Sequence, residues 1–123
     1  MKYLAALLSL LICSTSCTKS ANKGQGPVIT VTSPSSNQQF AAGQSITVSA
    51  SITHTSEIHE VKVRVRNNAT GAEIFEFKVD VNATSYDLSR TFVAQSGMVY
   101  KIEIEAEDNM GNESEKEFTI IVN

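Results

Sequence analysis

The chain contains 123 residues, of which 19% are charged and 41% are hydrophobic, and its formal net charge is −3. These values exclude a disordered, charge-rich chain and a bundle of membrane-spanning helices, and the length suffices for one domain with one modest core. The densest basic grouping is the alternation Lys62, Arg64 and Arg66, so the charge distribution gives no reason to expect a nucleic-acid partner.

The N-terminus has the features of a secretory signal peptide. Lys2 supplies a positive charge, residues 4–12 form an apolar run, and small residues follow up to Cys17. The run is too short to span a hydrocarbon core of about 30 Å, so cleavage is favoured over a transmembrane anchor. We therefore predict a signal peptide at residues 1–16, and its removal leaves about 107 of the 123 residues.

Around Cys17 the chain resembles the precursor of a bacterial lipoprotein, in which the cysteine after the cleavage site carries lipid. Cys17 follows the small Ser16, whereas Cys13 follows a bulky residue. Ser14 stands where many lipoproteins carry Leu, a looser pattern similar to that of lipoproteins from Bacteroidetes-type bacteria. The resemblance implies acylation of Cys17 and anchoring to the outer membrane in the bacterial cell envelope. The alternative is an ordinary signal peptide cut near Ser16 or Ser20.

Residues 17–26 are predicted to be the lipidated cysteine and a flexible tether, because they contain no large apolar side chain. Surface-exported lipoproteins of the resembling bacteria tend to carry acidic residues just after the cysteine, and residues 18–23 contain none. The resemblance therefore implies a domain that faces the periplasm. Because no cysteine follows Cys17, we expect the domain to stand without a disulfide.

Seven short segments within residues 27–123 alternate apolar and polar side chains, as β-strands do. They are residues 28–32, 45–53, 58–66, 73–81, 85–92, 99–107 and 113–122. The flanking Pro27 and Pro34 place the first segment at a sheet edge. The alternation predicts these inward residues: Ile46, Val48, Ala50, Ile52, Val61, Val63, Val65, Phe75, Phe77, Val79, Val81, Tyr86, Leu88, Phe92, Tyr100, Ile102, Ile104, Ala106, Phe118, Ile120 and Val122. We predict an all-β fold, a single immunoglobulin-like antiparallel β-sandwich of about seven strands.

Two predicted strands carry outward rows of opposite charge. The rows are Lys62, Arg64 and Arg66 on residues 58–66, and Glu103, Glu105 and Glu107 on residues 99–107. These strands are neighbours in an immunoglobulin-type sandwich, so the two rows should face each other. Exposed ion pairs are worth about 1 kcal/mol at most, which favours register control as their role over a binding stripe.

A second resemblance covers about residues 27–123. Its pattern is Gly97-x-x-Tyr100-x-Ile102-x-Ile104-x-Ala106-x-Asp108-x-x-Gly111-Asn112, with Ser33-Pro34 and Phe40-x-x-Gly43 upstream. It resembles the bacterial Ig-like and fibronectin-III-like modules of secreted proteins. The resemblance implies a corner hydrogen bond at Tyr100, and Ile102 stands where an antibody-type domain carries its second cysteine.

Few residues are arranged for catalysis. His54 and His59 could bind zinc with Glu57 and Glu60, but two solvated loop histidines are the simpler interpretation. The hydroxyls and carboxylates that acyl transfer or glycoside hydrolysis requires fall on flat outer strand faces, where the carboxylates stay solvated. We therefore predict a protein that is not an enzyme and uses no cofactor.

The acidic turn at residues 107–113 is the strongest metal candidate. Asp108, Asn109 and Asn112 offer oxygens that suit Ca²⁺, although their spacing differs from an EF-hand. The alternative is a hairpin turn in which Asn and Gly adopt positive φ. Glycan binding is less favoured, because the aromatic side chains of the domain fall mostly at inward positions.

The tether adds a geometric expectation. In an immunoglobulin-type sandwich the chain enters at the end that carries the turn at residues 108–112, so this end should face the membrane. Residues 33–44, 67–71 and 94–98 should then point away from it. We predict a membrane-anchored, non-enzymatic binding or assembly module of the cell envelope, whose partners are the membrane and an envelope protein. The alternative is a lipoprotein that binds calcium or a glycan.

Overall fold

The computed structural model describes residues 24–123, and its regular structure in this range is β-strand. The predicted signal peptide at residues 1–16, Cys17 and the tether up to residue 23 lie outside the described residues. The strands are β1 (Val28–Ser33), β2 (Gln39–Phe40), β3 (Ser45–Asn67), β4 (Glu73–Val93), β5 (Met98–Asp108) and β6 (Glu113–Val122). Among residues 24–123, none forms a helix of the length and apolarity needed to cross a bilayer.

Two long strands, β3 and β4, run through both layers of the sandwich. The first half of β3 pairs with β1 and with the second half of β4, and its second half pairs with β5 and with the first half of β4. The partners change at residues 54–57, where the β3–β4 register moves from Thr53 opposite Ser85 to Ile58 opposite Ala83. One layer is therefore β1–β3–β4, and the other is β4–β3–β5–β6–β2.

The predicted all-β, immunoglobulin-like sandwich is confirmed, with six strands where about seven were expected. The segments 45–53 and 58–66 belong to one strand, as do 73–81 and 85–92, because the residues between them stay extended instead of forming loops. The short β2 was not predicted, and it pairs in parallel with the end of β6. The predicted edge position of the first strand is correct, since within the described part of the chain β1 pairs with β3 alone.

The hydrophobic core lies between the two layers. The inward residues of the second half of β3 and of β5 are fully buried, as the alternation predicts: Val61, Val63, Val65, Ile102 and Ile104. The inward residues in the first half of β4 were predicted to be buried and are only partly so: Phe75, Phe77, Val79 and Val81. The reason is that this stretch of β4 lies at the edge of its layer, with a strand on one side only among residues 24–123.

Tyr100 fills the core at the end opposite the β5–β6 turn. Its side chain is fully buried, and its ring packs edge-on against Phe92 with the centroids 5.6 Å apart. The Tyr100 hydroxyl accepts a hydrogen bond from the backbone N–H of Gln95 at 3.1 Å. This contact confirms the corner hydrogen bond that the resemblance implied.

Candidate functional site

A groove lies at one end of the sandwich. It has a volume of about 590 Å³ and is lined by residues 24–28, the bend of β3 and the turn between β5 and β6. We call this the N-terminal end, and it comprises residues 24–27, 54–57 and 109–112. Val28 and Met110 contribute exposed apolar side chains to the groove, Asp108 and Asn112 are its buried polar residues, and His54 is partly buried.

Asp108 is the centre of a hydrogen-bond network beneath this groove. The residue is 2% exposed, and its Oδ1 accepts the backbone N–H groups of Met110 at 2.8 Å and Asn112 at 2.9 Å. Its Oδ2 accepts the side-chain amide of Asn112 at 2.7 Å and lies 2.9 Å from Nε2 of His54. Hydrogen bonds from Asn112 above all, with those from Met110 and His54, hold the pKa of Asp108 well below its usual range although burial opposes this.

His54 is therefore not the solvated loop residue that the sequence predicted. Its side chain is about 10% exposed and is held against Asp108. The bend of β3 at residues 54–57 stays extended, and this places the His54 ring within hydrogen-bond distance of the last residue of β5. The contact between His54 and Asp108 therefore has a structural role, and the spacing of the residues in the sequence did not predict it.

Of the other proposed zinc ligands, Glu57 lies at the N-terminal end beside Asn109, and His59 and Glu60 lie apart from it. His59 is exposed, as predicted, and its ligand atom lies within 4.8 Å of carboxylate oxygens of Glu60 and Asp80. The proximity of Asp80 to Glu60 was not predicted, because only the β3–β4 register brings these two residues opposite each other. Lys78 contacts Glu60 at 2.6 Å, and this hydrogen bond lowers the pKa of Glu60. The Glu60 carboxylate is therefore already paired with a cation.

The calcium candidates Asp108, Asn109 and Asn112 lie together in the β5–β6 turn. Their side chains, however, already make hydrogen bonds within the protein. Both oxygens of Asp108 accept hydrogen bonds, and Asn112 directs its side-chain N–H to Asp108. The side-chain amide of Asn109 donates to Glu57 at 3.2 Å. Gly111 has a φ of 80°, in keeping with the hairpin interpretation. Calcium binding stays a prediction that this arrangement does not favour, because the ion would have to displace these donors.

The outer face of β3 and β5 carries the predicted charge rows. The two strands are neighbours, with Lys62 opposite Glu105 and Arg64 opposite Glu103. Lys62 contacts Glu105 at 3.3 Å, and Arg64 pairs with both Glu103 and Glu105. The predicted facing of opposite charges is therefore confirmed over these positions.

The rows are offset at their ends. Glu107 was predicted to face a basic residue and lies opposite Glu60, while Arg66 lies opposite Lys101. Arg66 and Lys101 both reach Glu103, at 3.7 Å and 3.4 Å. Glu103 is consequently only 7% exposed, which corrects the expectation of a solvated carboxylate. The contact from Arg66 is diagonal across the β3–β5 pair and depends on register, whereas Lys101 lies two residues before Glu103 on the same face of β5.

The last described part of the predicted tether packs against the domain. A Cβ added at Gly26 would lie 2.7 Å from backbone atoms of Glu113 and 2.6 Å from Oγ of Ser114. Pro27 is buried. The chain therefore enters at the end that carries the β5–β6 turn, as we predicted from the tether. Residues 24–26 are not a free spacer.

We expect Gly26→Ala to lower the midpoint of thermal unfolding by about 5 °C, because the backbone of Glu113 cannot move aside as a side chain could. Gly24→Ala is the matched control, since its Cβ would meet only the side chain of Asn112, at 3.4 Å. The control should change the midpoint by less than about 2 °C. Thermal unfolding followed by circular dichroism measures both, and equal changes would contradict the close approach at Gly26.

Comparisons with known proteins agree with this architecture. Residues 27–104 match the family described as Bacterial Ig domain. The fibronectin(III)-like modules of CbhA from Clostridium thermocellum are 23% identical, with a TM-score of 0.54 over 77% of this chain and 94% of that chain. The superoxide reductase (neelaredoxin) from Ignicoccus hospitalis is 13% identical, with a TM-score of 0.58 over 79% of this chain and 80% of that chain.

A third similar structure is the CARDB domain of the PF1109 protein from Pyrococcus furiosus, solved in complex with di-metal ions. It is 15% identical, with a TM-score of 0.52 over 80% of this chain and 90% of that chain. None of the curated proteins matches the sequence. At these identities the structural likeness shows a shared fold, and function has to be argued from the residues of this chain.

Proposed function

Because this chain belongs to the Bacterial Ig domain family, we propose that it is a membrane-anchored, non-enzymatic module that binds or assembles proteins in the bacterial cell envelope. Support for a non-enzymatic role comes from the most buried polar cluster. His54 and Asp108 pair with each other, and Asn112 and the backbone N–H of Met110 donate the other hydrogen bonds to the carboxylate. This arrangement uses the titratable groups to hold the β5–β6 turn.

The observation that carries the proposal is the position of the entering chain. Residues 24–27 pack at the N-terminal end, beside the β5–β6 turn. β2 pairs with Val122 at the other end of β6, so residues 34–44 lie at the far end of the sandwich. A lipid on Cys17 would hold the N-terminal end close to the membrane and leave the far end free.

The free end offers an ordered docking surface, which we call the distal segment (residues 35–39). The backbone N–H of Asn37 donates to the carbonyl of Thr119 at 2.7 Å, and Thr119 Oγ1 donates to Oδ1 of Asn37 at 2.8 Å. The side chains of Ser35, Ser36 and Gln38 are exposed. A pre-ordered, exposed segment binds with a small loss of conformational entropy, which suits a partner-binding role.

We expect Ser36→Glu together with Gln38→Glu to reduce capture of an envelope partner at least about threefold. Capture is measured by a photo-crosslinking residue placed at Ser35 in living cells. Asn109→Ala and Met110→Ala are the controls at the N-terminal end, because both residues are exposed and leave the Asp108 network in place. A larger loss in the controls than in the distal variant would overturn the proposed orientation.

The anchor and the compartment are tested separately. Lipid attachment at Cys17, as in lipoproteins of Bacteroidetes-type bacteria, requires the thiol, so Cys17→Ser should release the protein from the membrane fraction. In the proposed periplasmic orientation the wild-type domain resists protease added to intact cells. Digestion in intact cells would place the domain on the cell surface, and membrane retention of Cys17→Ser would contradict the lipid anchor.

A further inference from the structure

The strand β4 is paired along one edge only. Its 21 residues pair with β3, and within residues 24–123 no strand pairs with its other edge. The β3–β4 register is continuous from Phe75 to Asp80, and it is interrupted afterwards near Asn82, whose φ is 52°. An unpaired, regular edge presents backbone N–H and C=O groups that can pair with an added strand.

The inward side chains of this stretch are incompletely covered. Phe75, Phe77 and Val79 are partly buried, whereas the residues opposite them on β3 are fully buried. The guanidinium of Arg90 lies 3.6 Å from the ring centroid of Phe77 and covers one face of that ring. A strand added to β4 would remove further apolar surface of this row from water.

We propose that residues 75–79 of β4 pair in antiparallel fashion with the same residues of a second copy of this chain, with Phe77 opposite Phe77 at the twofold axis. In this register Glu76 of each copy faces Lys78 of the other, which gives two pairs of opposite charge. On the inward side Phe75 faces Val79 of the second copy. The β4–β3–β5–β6–β2 layers of the two copies then form one continuous sheet.

The charges select this register over its neighbours. The inward row stays inward only if the strands shift by two residues at a time. One such shift places Glu76 opposite Glu76, and the other places Lys78 opposite Lys78. Like charges directly opposite each other destabilise a strand pair. Of these three registers, only the one centred on Phe77 places Glu76 opposite Lys78.

This inference rests on the assembly role in the proposed function, since it names a second copy as one partner. It does not depend on the membrane anchor, because the β4 edge runs along the side of the sandwich. Loss of membrane retention in a chain that still dimerises would contradict the anchor alone. A chain that stays at the membrane as a monomer would contradict the pairing alone.

Cysteine pairs test the register. We expect copies carrying Glu76→Cys to form disulfides with copies carrying Lys78→Cys, because directly opposite residues meet the Cα separation that a disulfide requires. Each variant alone should cross-link at least about tenfold more slowly. In its dimer the two cysteines would stand at the same position of the two chains, and these positions are diagonal neighbours about 7–8 Å apart. The parent chain, with its own two cysteines, is oxidised in parallel as the background. Faster self-linking of either single variant, or no linking in the mixture, overturns the proposal.

Charge reversal tests the affinity. Sedimentation of the full chain in density-matched detergent should show a concentration-dependent dimer. Lys78→Glu should raise its dissociation constant at least about tenfold, and adding Glu76→Lys should restore it to within about threefold. The double variant still lacks the 2.6 Å contact between Lys78 and Glu60, so recovery cannot come from that contact.

Lys116→Glu is the matched control, because it makes the same charge change on β6, at the other side of the layer. It should leave the dissociation constant unchanged within about twofold. Circular dichroism confirms that each variant is folded. A wild-type chain that is monomeric throughout, or a double variant that fails to recover, overturns the proposal.

Discussion

Replacement of Asp108 by alanine is expected to lower the midpoint of thermal unfolding by about 10 °C or more. The carboxylate accepts hydrogen bonds from two backbone N–H groups and from the side chains of Asn112 and His54. Alanine would leave these donors without their acceptor in a region where Asp108 and Asn112 are buried. An unsatisfied buried donor costs more than the net value of the hydrogen bond it loses.

Asn109→Ala provides the matched comparison within the same turn. Asn109 is exposed, and its side chain donates to the exposed Glu57. We expect its replacement to change the midpoint by less than about 2 °C. If Asp108→Ala were as mild as Asn109→Ala in circular dichroism melts, the network beneath the groove would not hold the turn.

The same carboxylate gives the stability an acid dependence of known sign. Its hydrogen bonds lower the pKa of Asp108 in the folded chain below the ordinary value of 3.8. The unfolded chain therefore binds this proton first as the pH falls, so the stabilisation is complete above about pH 5 and is lost progressively as the pH falls past 3.8 toward the lower pKa of the folded chain. The difference in midpoint between the wild type and Asp108→Ala should shrink between about pH 5 and pH 2. A difference that is constant over this range would contradict the lowered pKa.

Replacement of Tyr100 by alanine is expected to lower the free energy of unfolding by about 3–5 kcal/mol, and replacement by phenylalanine by about 1–2 kcal/mol. The first change removes a fully buried ring that packs on Phe92, and the second removes only the acceptor for the N–H of Gln95. Denaturant unfolding measures both values. Val99→Ala is the control, because Val99 precedes Tyr100 on β5 but is exposed.

The two Tyr100 variants separate packing from hydrogen bonding. Val99→Ala should cost less than about 1 kcal/mol. If Tyr100→Phe were equally small, the corner hydrogen bond would contribute little, and the ring alone would explain the alanine result. If Tyr100→Ala were also that small, the core would be able to collapse around the missing ring.

Local patterns predicted most of the fold. The apolar side chains of Val61, Val63 and Val65 recur with a period of two, and this period depends only on the strand's own geometry. The charge match between Lys62 and Glu105 could be predicted in the same way, because an immunoglobulin-type order of strands makes their strands neighbours. Alternation and fold type together are therefore sufficient for most of the core and for the middle of the charged face.

Features that depend on register or on a bend could not be predicted in this way. Residues 54–57 break the apolar alternation and so resemble a loop, yet they stay extended and bring His54 to Asp108. Asp80 meets Glu60 only through the β3–β4 register. The burial of Glu103 depends in part on Arg66, which reaches it diagonally from β3. These contacts of His54, Asp80 and Arg66 join residues far apart in the chain, where a single sequence carries no signal of pairing.

The direction in which β1 runs along β3 determines how this strand would respond to a pulling force. β1 starts at the N-terminal end, with Val28 opposite Thr53, and runs toward the far end, with Ser33 opposite Ser49. A pulling force between an anchor before residue 24 and a partner on the distal segment would act along the strand axis. Both attachment points lie on the chain segment that contains β1, so the covalent backbone of β1 would carry the force and the hydrogen bonds of the β1–β3 pair would not be loaded. The geometry therefore suits a module that has to stay folded under tension.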